Sequence, residues 1–135
     1  MTIGELGAEL SALVWATALL IVLVAVQATA GVRTQGMVLA GSRDNVPPPG
    51  VFQARMLRVV DNHREGLLMF GPLAIAASVM NLDSGTAALG AQLFLYSRVA
   101  HALLYIFGVP MVRPLVWAVG LAGTVMVLLA VLGVA

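Results

Sequence analysis

Cysteine and lysine are both missing from this 135-residue sequence. Without cysteine there can be no disulfide, no thiolate metal site and no protein thiol nucleophile, so any sulfur chemistry must use a substrate's sulfur. Without lysine, all seven basic residues are arginine: Arg33, Arg43, Arg55, Arg58, Arg64, Arg98 and Arg113. Arginine keeps its charge when partly desolvated and offers a planar fork of donors matched to carboxylates and phosphates, which suits a buried anion site. Charge of either sign is scarce, at 10% of the chain against about 25% in soluble domains. Apolar residues make up 61%, and a globule of this size has too much surface to cover with hydrocarbon. The chain is therefore expected to be an integral membrane protein. A net charge of +1 with no polybasic run excludes nucleic acid as a partner. No two histidines or carboxylates have metal-ligand spacing, so no metal is expected.

Leu10 to Ala30 is uncharged and long enough to cross a hydrocarbon core of about 30 Å. Ala28-Thr29-Ala30 resembles a signal-cleavage site, but Glu5 and Glu9 precede the run in place of basic residues, which favours a retained anchor. Gly31 to Ala54 reads as a loop around Pro47-Pro48-Pro49-Gly50. A second helix follows from Arg55, its charged first turns completing the crossing and Gly71-Pro72 bending it mid-way. Asn81 to Gly85 is a turn, a third span is interrupted by Arg98 and closed by Gly108-Val109-Pro110, and a fourth starts at Pro114. The expected architecture is all-α: one membrane domain of four helices at about 10–30, 55–80, 86–107 and 114–134. Placing the loop arginines Arg33, Arg43 and Arg113 in the cytoplasm and Glu5, Glu9 and Asp83 outside makes the orientation N-out, C-out.

Arg58, Asn62 and Glu65 stand at i, i+4 and i+7 on one face of the second helix, and Arg98, His101 and Tyr105 at i, i+3 and i+7 on one face of the third. Glu65 and Arg98 each lie roughly 15 Å from the same end, which sets them opposite one another on antiparallel neighbours. A structural ion pair between them, with Asn62 bonding across helices, is the plain reading. It leaves a surplus of arginine: Arg58, Arg98 and Arg113, with Arg33 or Arg55, converge on one face with few carboxylates, and such a cleft asks for an anionic guest. His101 reads as an interhelical hydrogen-bonding residue or a proton shuttle, Trp117 as a membrane-belt tryptophan, and Asp61 as an intrahelical partner of Arg58 or Arg64.

Arg58-x-x-x-Asn62-x-x-Glu65 resembles the second-helix signature of the MAPEG family, the membrane-associated proteins of eicosanoid and glutathione metabolism. Arg98-Val99-Ala100-His101-x-x-x-Tyr105, then Gly108-x-Pro110-x-x-Arg113, is similar to the third-helix motif and following corner of microsomal glutathione transferases and prostaglandin E synthases. The resemblance spans nearly the whole chain. Val60, Gly66 and Pro114 depart from the animal enzymes, which weighs against prostaglandin or leukotriene synthesis, and the composition resembles that of a bacterial membrane protein from a GC-rich genome.

The resemblance implies a homotrimer in a bacterial inner membrane, with glutathione bound between subunits near the cytoplasmic side. Arg58, Asn62 and Glu65 of one subunit would line the site with Arg98, His101, Tyr105 and Arg113 of its neighbour, and Arg33 would add a further contact. Glutathione's two carboxylates suit arginine and its ammonium suits Glu65. Arg113 is the catalytic candidate, holding the thiol as thiolate. The implied activity is a glutathione-dependent transferase or peroxidase acting on a lipophilic electrophile or hydroperoxide from the bilayer. The alternatives are a non-catalytic lipid-binding or scaffold member of the family, and a small transporter using Glu65 as a proton carrier, which a neighbouring Arg98 disfavours.

Overall fold

The computed structural model describes residues 3–135. Four helices make up most of it: α1 (Ala8–Gln35), α2 (Val51–Val79), α3 (Gly85–Ile106) and α4 (Arg113–Val131). Among the described residues there is no strand. Two helices, α1 and α4, are long and apolar enough to cross a membrane. Within α1, the hydroxyls of Thr17 and Thr29 each donate at 2.8 Å to the carbonyl four residues earlier, so that neither presents a free donor to the apolar surroundings.

Two boundaries differ from the sequence reading. The first helix does not give way to loop at Gly31 but continues to Gln35, ending at Gly36, whose φ of 73° takes the chain out of the helix. Gly31 is a packing notch: a Cβ there would lie 2.9 Å from Nε2 of Gln53. The second helix starts at Val51, directly after the proline run, because Gln53 is pinned. Thr34 donates to the Gln53 oxygen, the Gln53 amide donates to Gln35, and the Gln35 amide donates to the Pro47 carbonyl. This buried chain ties the end of α1, the loop and the start of α2 together. Downstream, α2 runs unbroken through Pro72, and α3 begins on Ser84, whose Oγ accepts from the Ala87 amide at 3.2 Å.

In the bundle α2 and α3 pack against each other as well as against α1 and α4, so the two charged helices meet along its centre while α1 and α4 flank them. Small residues allow close approach. A Cβ on Gly90 of α3 would stand 2.6 Å from the carbonyl oxygen of Gly123 on α4. The core joins Ala12, Ala16, Phe70, Ala74, Ala91, Phe94 and Val127, with the Phe70 and Phe94 rings stacked at 4.0 Å. A second cluster holds Leu23, Met56, Val59 and Ala102. Polarity runs inward: Gln53, His63, Ser97, Arg98 and His101 are buried, while Trp15 is 56% exposed, Leu68 71% and Leu115 68%. A water-soluble bundle would have this reversed.

Candidate functional cleft

Arg58 and Asn62, one turn apart on α2, face His101 and Tyr105, one turn apart on α3. The corner after α3 brings Pro110, Arg113, Pro114 and Trp117 over them, closing a cleft of about 450 Å³. Arg113 is held there twice. Its Nε donates to the Pro110 carbonyl at 3.4 Å, and its guanidinium carbon lies 4.4 Å from the centre of the Tyr105 ring. The Tyr105 ring in turn tilts against His101 at 5.0 Å. Two guanidinium groups line the cleft and no carboxylate does.

Five of the eight residues singled out in the sequence thus meet in one cleft: Arg58, Asn62, His101, Tyr105 and Arg113. Within the single chain these five face one cleft, because α2 and α3 pack directly and the six-residue corner 107–112 carries Arg113 over them.

The other three lie apart. Arg98 is only 3% exposed and sits behind the cleft, between α2 and α4. Its Nη1 donates to Oδ1 of Asn62 at 3.0 Å and to the Asn62 carbonyl at 3.5 Å, and its guanidinium lies 5.7 Å from the Phe94 ring. Glu65 is exposed on the outside of α2, so the expected ion pair with Arg98 does not form. One residue, Gly66, accounts for much of this: a Cβ there would stand 3.1 Å from Nη1 of Arg98. Because Gly66 has no Cβ, Nη1 of the guanidinium reaches Asn62 through the gap. Arg33 is exposed at the end of α1, beside a separate, largely apolar cleft of about 400 Å³ that includes Thr29, Thr34 and Phe52.

Neighbouring charged residues take structural roles. The Nε2–H of His63, on the face of α2 turned to α1, donates to the Ala16 carbonyl at 2.7 Å. Asp61 and Arg64 form an intrahelical ion pair at 2.8 Å. Arg55 packs its guanidinium against Gly108. Among the described residues His101 makes no hydrogen bond, so it is not the interhelical bonding residue expected of it. Trp117, read in the sequence as a belt residue, also lines the cleft. Its i+4 spacing from Arg113 was the signal. No group of three metal-ligating side chains occurs among the described residues.

A sequence model of the MAPEG family matches residues 10–133. No curated protein and no solved structure matches the chain.

Proposed function

The chain belongs to the MAPEG family, and from that premise we propose that it is a glutathione-dependent membrane transferase or peroxidase acting on lipophilic electrophiles or hydroperoxides. One observation carries the reading: the cleft gathers Arg58, Asn62, His101, Tyr105 and Arg113 and no carboxylate. A donor set with two uncompensated cations in an apolar subunit is matched by a small anion, and glutathione offers two carboxylates and, once its thiol is ionised, a thiolate. Glutathione supplies a thiol nucleophile. Arg58 would hold a carboxylate, and Arg113, fixed over Tyr105, would stabilise the thiolate that neutral pH otherwise disfavours. His101, which makes no hydrogen bond among the described residues, can donate a ring N–H to the bound anion.

In this reading all four helices cross a bacterial inner membrane, N-out and C-out, with the cleft near the cytoplasmic side, and three copies assemble. The position of Glu65 supports assembly. It is exposed on the same helix as the lipid-type residues Leu68 and Ile75, and a carboxylate facing hydrocarbon costs several kcal/mol unless covered. A neighbouring subunit would cover it and turn it to the glutathione ammonium; Arg33 would reach the site from the neighbour in the same way.

The test is thermal unfolding of the detergent-purified protein with and without millimolar glutathione. A ligand that binds only the folded state at a hundred times its Kd stabilises by about 2.7 kcal/mol. A shift in the wild type that is lost in Arg58→Ala and Arg113→Ala supports the site and directs a screen of electrophiles and lipid hydroperoxides. No shift in an intact wild-type assembly overturns the enzyme reading in favour of a non-catalytic lipid-binding or scaffold role.

A further inference from the structure

The arginine behind the cleft has an unusual environment. Arg98 is 3% exposed, has no carboxylate within ion-pair distance among the described residues, and carries a buried Nε with no hydrogen-bond partner. Its slot is built for it: a Cβ at Gly120 on α4 would stand 2.7 Å from Nη2, and one at Gly66 on α2 would stand 3.1 Å from Nη1. Burying a cation this way is costly; the one side chain that hydrogen-bonds it among the described residues is Asn62, at 3.0 Å to Oδ1, while Glu65 attracts it from beyond ion-pair distance.

Arginine can only donate, so the amide of Asn62 must turn its oxygen to Arg98. The other end of that amide, an NH2 with two protons, has no partner among the described residues, and Asn62 lines the cleft. We infer that Arg98 is a positioning residue: by holding the oxygen of Asn62 from behind, it makes the cleft present the amide as a donor to an anion. Left free, an asparagine amide presents its oxygen or its nitrogen with nearly equal ease. Held by Arg98, it joins Arg58 and Arg113 in a wall of donors, and Gly66 and Gly120 are the residues that admit the guanidinium. This rests on the glutathione reading for the identity of the anion, but not for the presence of an anion site.

The experiment titrates the purified assembly with glutathione and, separately, with sulfate, reading Kd and binding stoichiometry by calorimetry alongside the unfolding temperature. Arg98→Met is expected to weaken binding by roughly tenfold or more at full stoichiometry, and Arg98→Lys, which can still donate to the Asn62 oxygen, to recover most of it. A merely structural arginine would instead lower the unfolding temperature and the number of competent sites while the remaining sites keep the wild-type Kd. Asn62→Asp tests the orientation in a protein that keeps an oxygen for Arg98. The unfolding temperature should hold, while the cleft now presents a carboxylate oxygen and anion binding is lost. Wild-type binding in Asn62→Asp, or an unchanged Kd in folded Arg98→Met, overturns the inference. Sulfate binding without glutathione binding in the wild type overturns the glutathione reading alone, and sulfate then serves as the probe. Binding of neither overturns both.

Discussion

The guanidinium of Arg113 lies over the ring of Tyr105, 4.4 Å from its centre, and so the start of α4 is anchored to the end of α3 at the rim of the cleft. A cation over an aromatic face contributes about 0.5–1 kcal/mol at exposed sites and more when desolvated. Tyr105→Phe keeps that face and Tyr105→Leu removes it. The glutathione-conjugating kcat/KM of Tyr105→Leu should therefore fall several-fold below that of Tyr105→Phe. Equal values in the two variants would show that something other than the ring holds Arg113.

Arg58 and Arg113 are the two cations of the cleft. Hydrogen bonds to charged groups contribute about 1.5–3 kcal/mol each, so alanine at either position should weaken glutathione binding by roughly tenfold to a hundredfold. The affinity of the wild type should also fall as salt rises from low to physiological ionic strength, since both guanidinium groups remain open to solvent ions through the mouth. Isothermal titration across a salt series reads both effects, and a salt-independent Kd would argue against an electrostatic grip.

Glu65 is exposed in the single chain and makes no ion pair with Arg98, so Glu65→Gln, which keeps the side-chain shape and can still hydrogen-bond to a covering subunit, should leave the assembly intact in the absence of ligand. Its effect should show with the ligand. Glutathione should bind more weakly, whereas an analogue lacking the γ-glutamyl amine should bind the variant and the wild type alike. Loss of the assembly without ligand would instead make Glu65 a structural interface residue.

Gly90 and Gly123 set the separation of α3 and α4, each facing the other's backbone carbonyl. A methyl group there meets backbone, which cannot swing aside. Gly90→Ala or Gly123→Ala should cost about 1–3 kcal/mol through overpacking. Gly85→Ala, where a Cβ would meet nothing within 4 Å, is the matched control and should be tolerated. Unfolding temperatures measured together settle it, and an unperturbed Gly123→Ala would contradict the close approach.

Gln53→Leu removes the middle of the Thr34, Gln53, Gln35 and Pro47 chain and leaves the buried Gln35 amide oxygen without its donor. A buried polar group left unpaired costs about 1–3 kcal/mol. Amide exchange should accelerate over residues 31–56 and stay unchanged in α3 and α4. Protection unaltered around Gln35 would mean that the chain of amides does not brace the loop.

Much of the fold was legible because membrane helices announce themselves. The uncharged runs of α1 and α4, the turn from Asn81 to Gly85 and the Gly108 to Pro110 stop are local signals, decided by hydropathy and backbone chemistry within a few residues. The same holds for the pairing of faces: the spacing of Arg58 with Asn62 and of His101 with Tyr105 places each pair on one stripe, and the two stripes do meet. Gly31 shows where local reading stops. It has the look of a helix end in the sequence, and only the approach of Gln53 from a helix twenty residues on reveals it as a notch inside α1.

Composition and spacing alone determined that this is an all-helical membrane protein whose basic residues are all arginine, with Arg58 and Asn62 on one stripe and His101 and Tyr105 on another, since those properties follow from the cost of polar groups in hydrocarbon and from the 3.6-residue turn. Which arginines face the cleft was decided by tertiary packing. Arg58 and Arg98 are equal as sequence signals, yet Arg113 and Arg58 stand in the cleft and Arg98 lies buried behind it on Asn62. The difference rests on two glycines, Gly66 and Gly120, on helices that touch only in the folded bundle, and the absence of a side chain acquires its meaning only from what moves into the space.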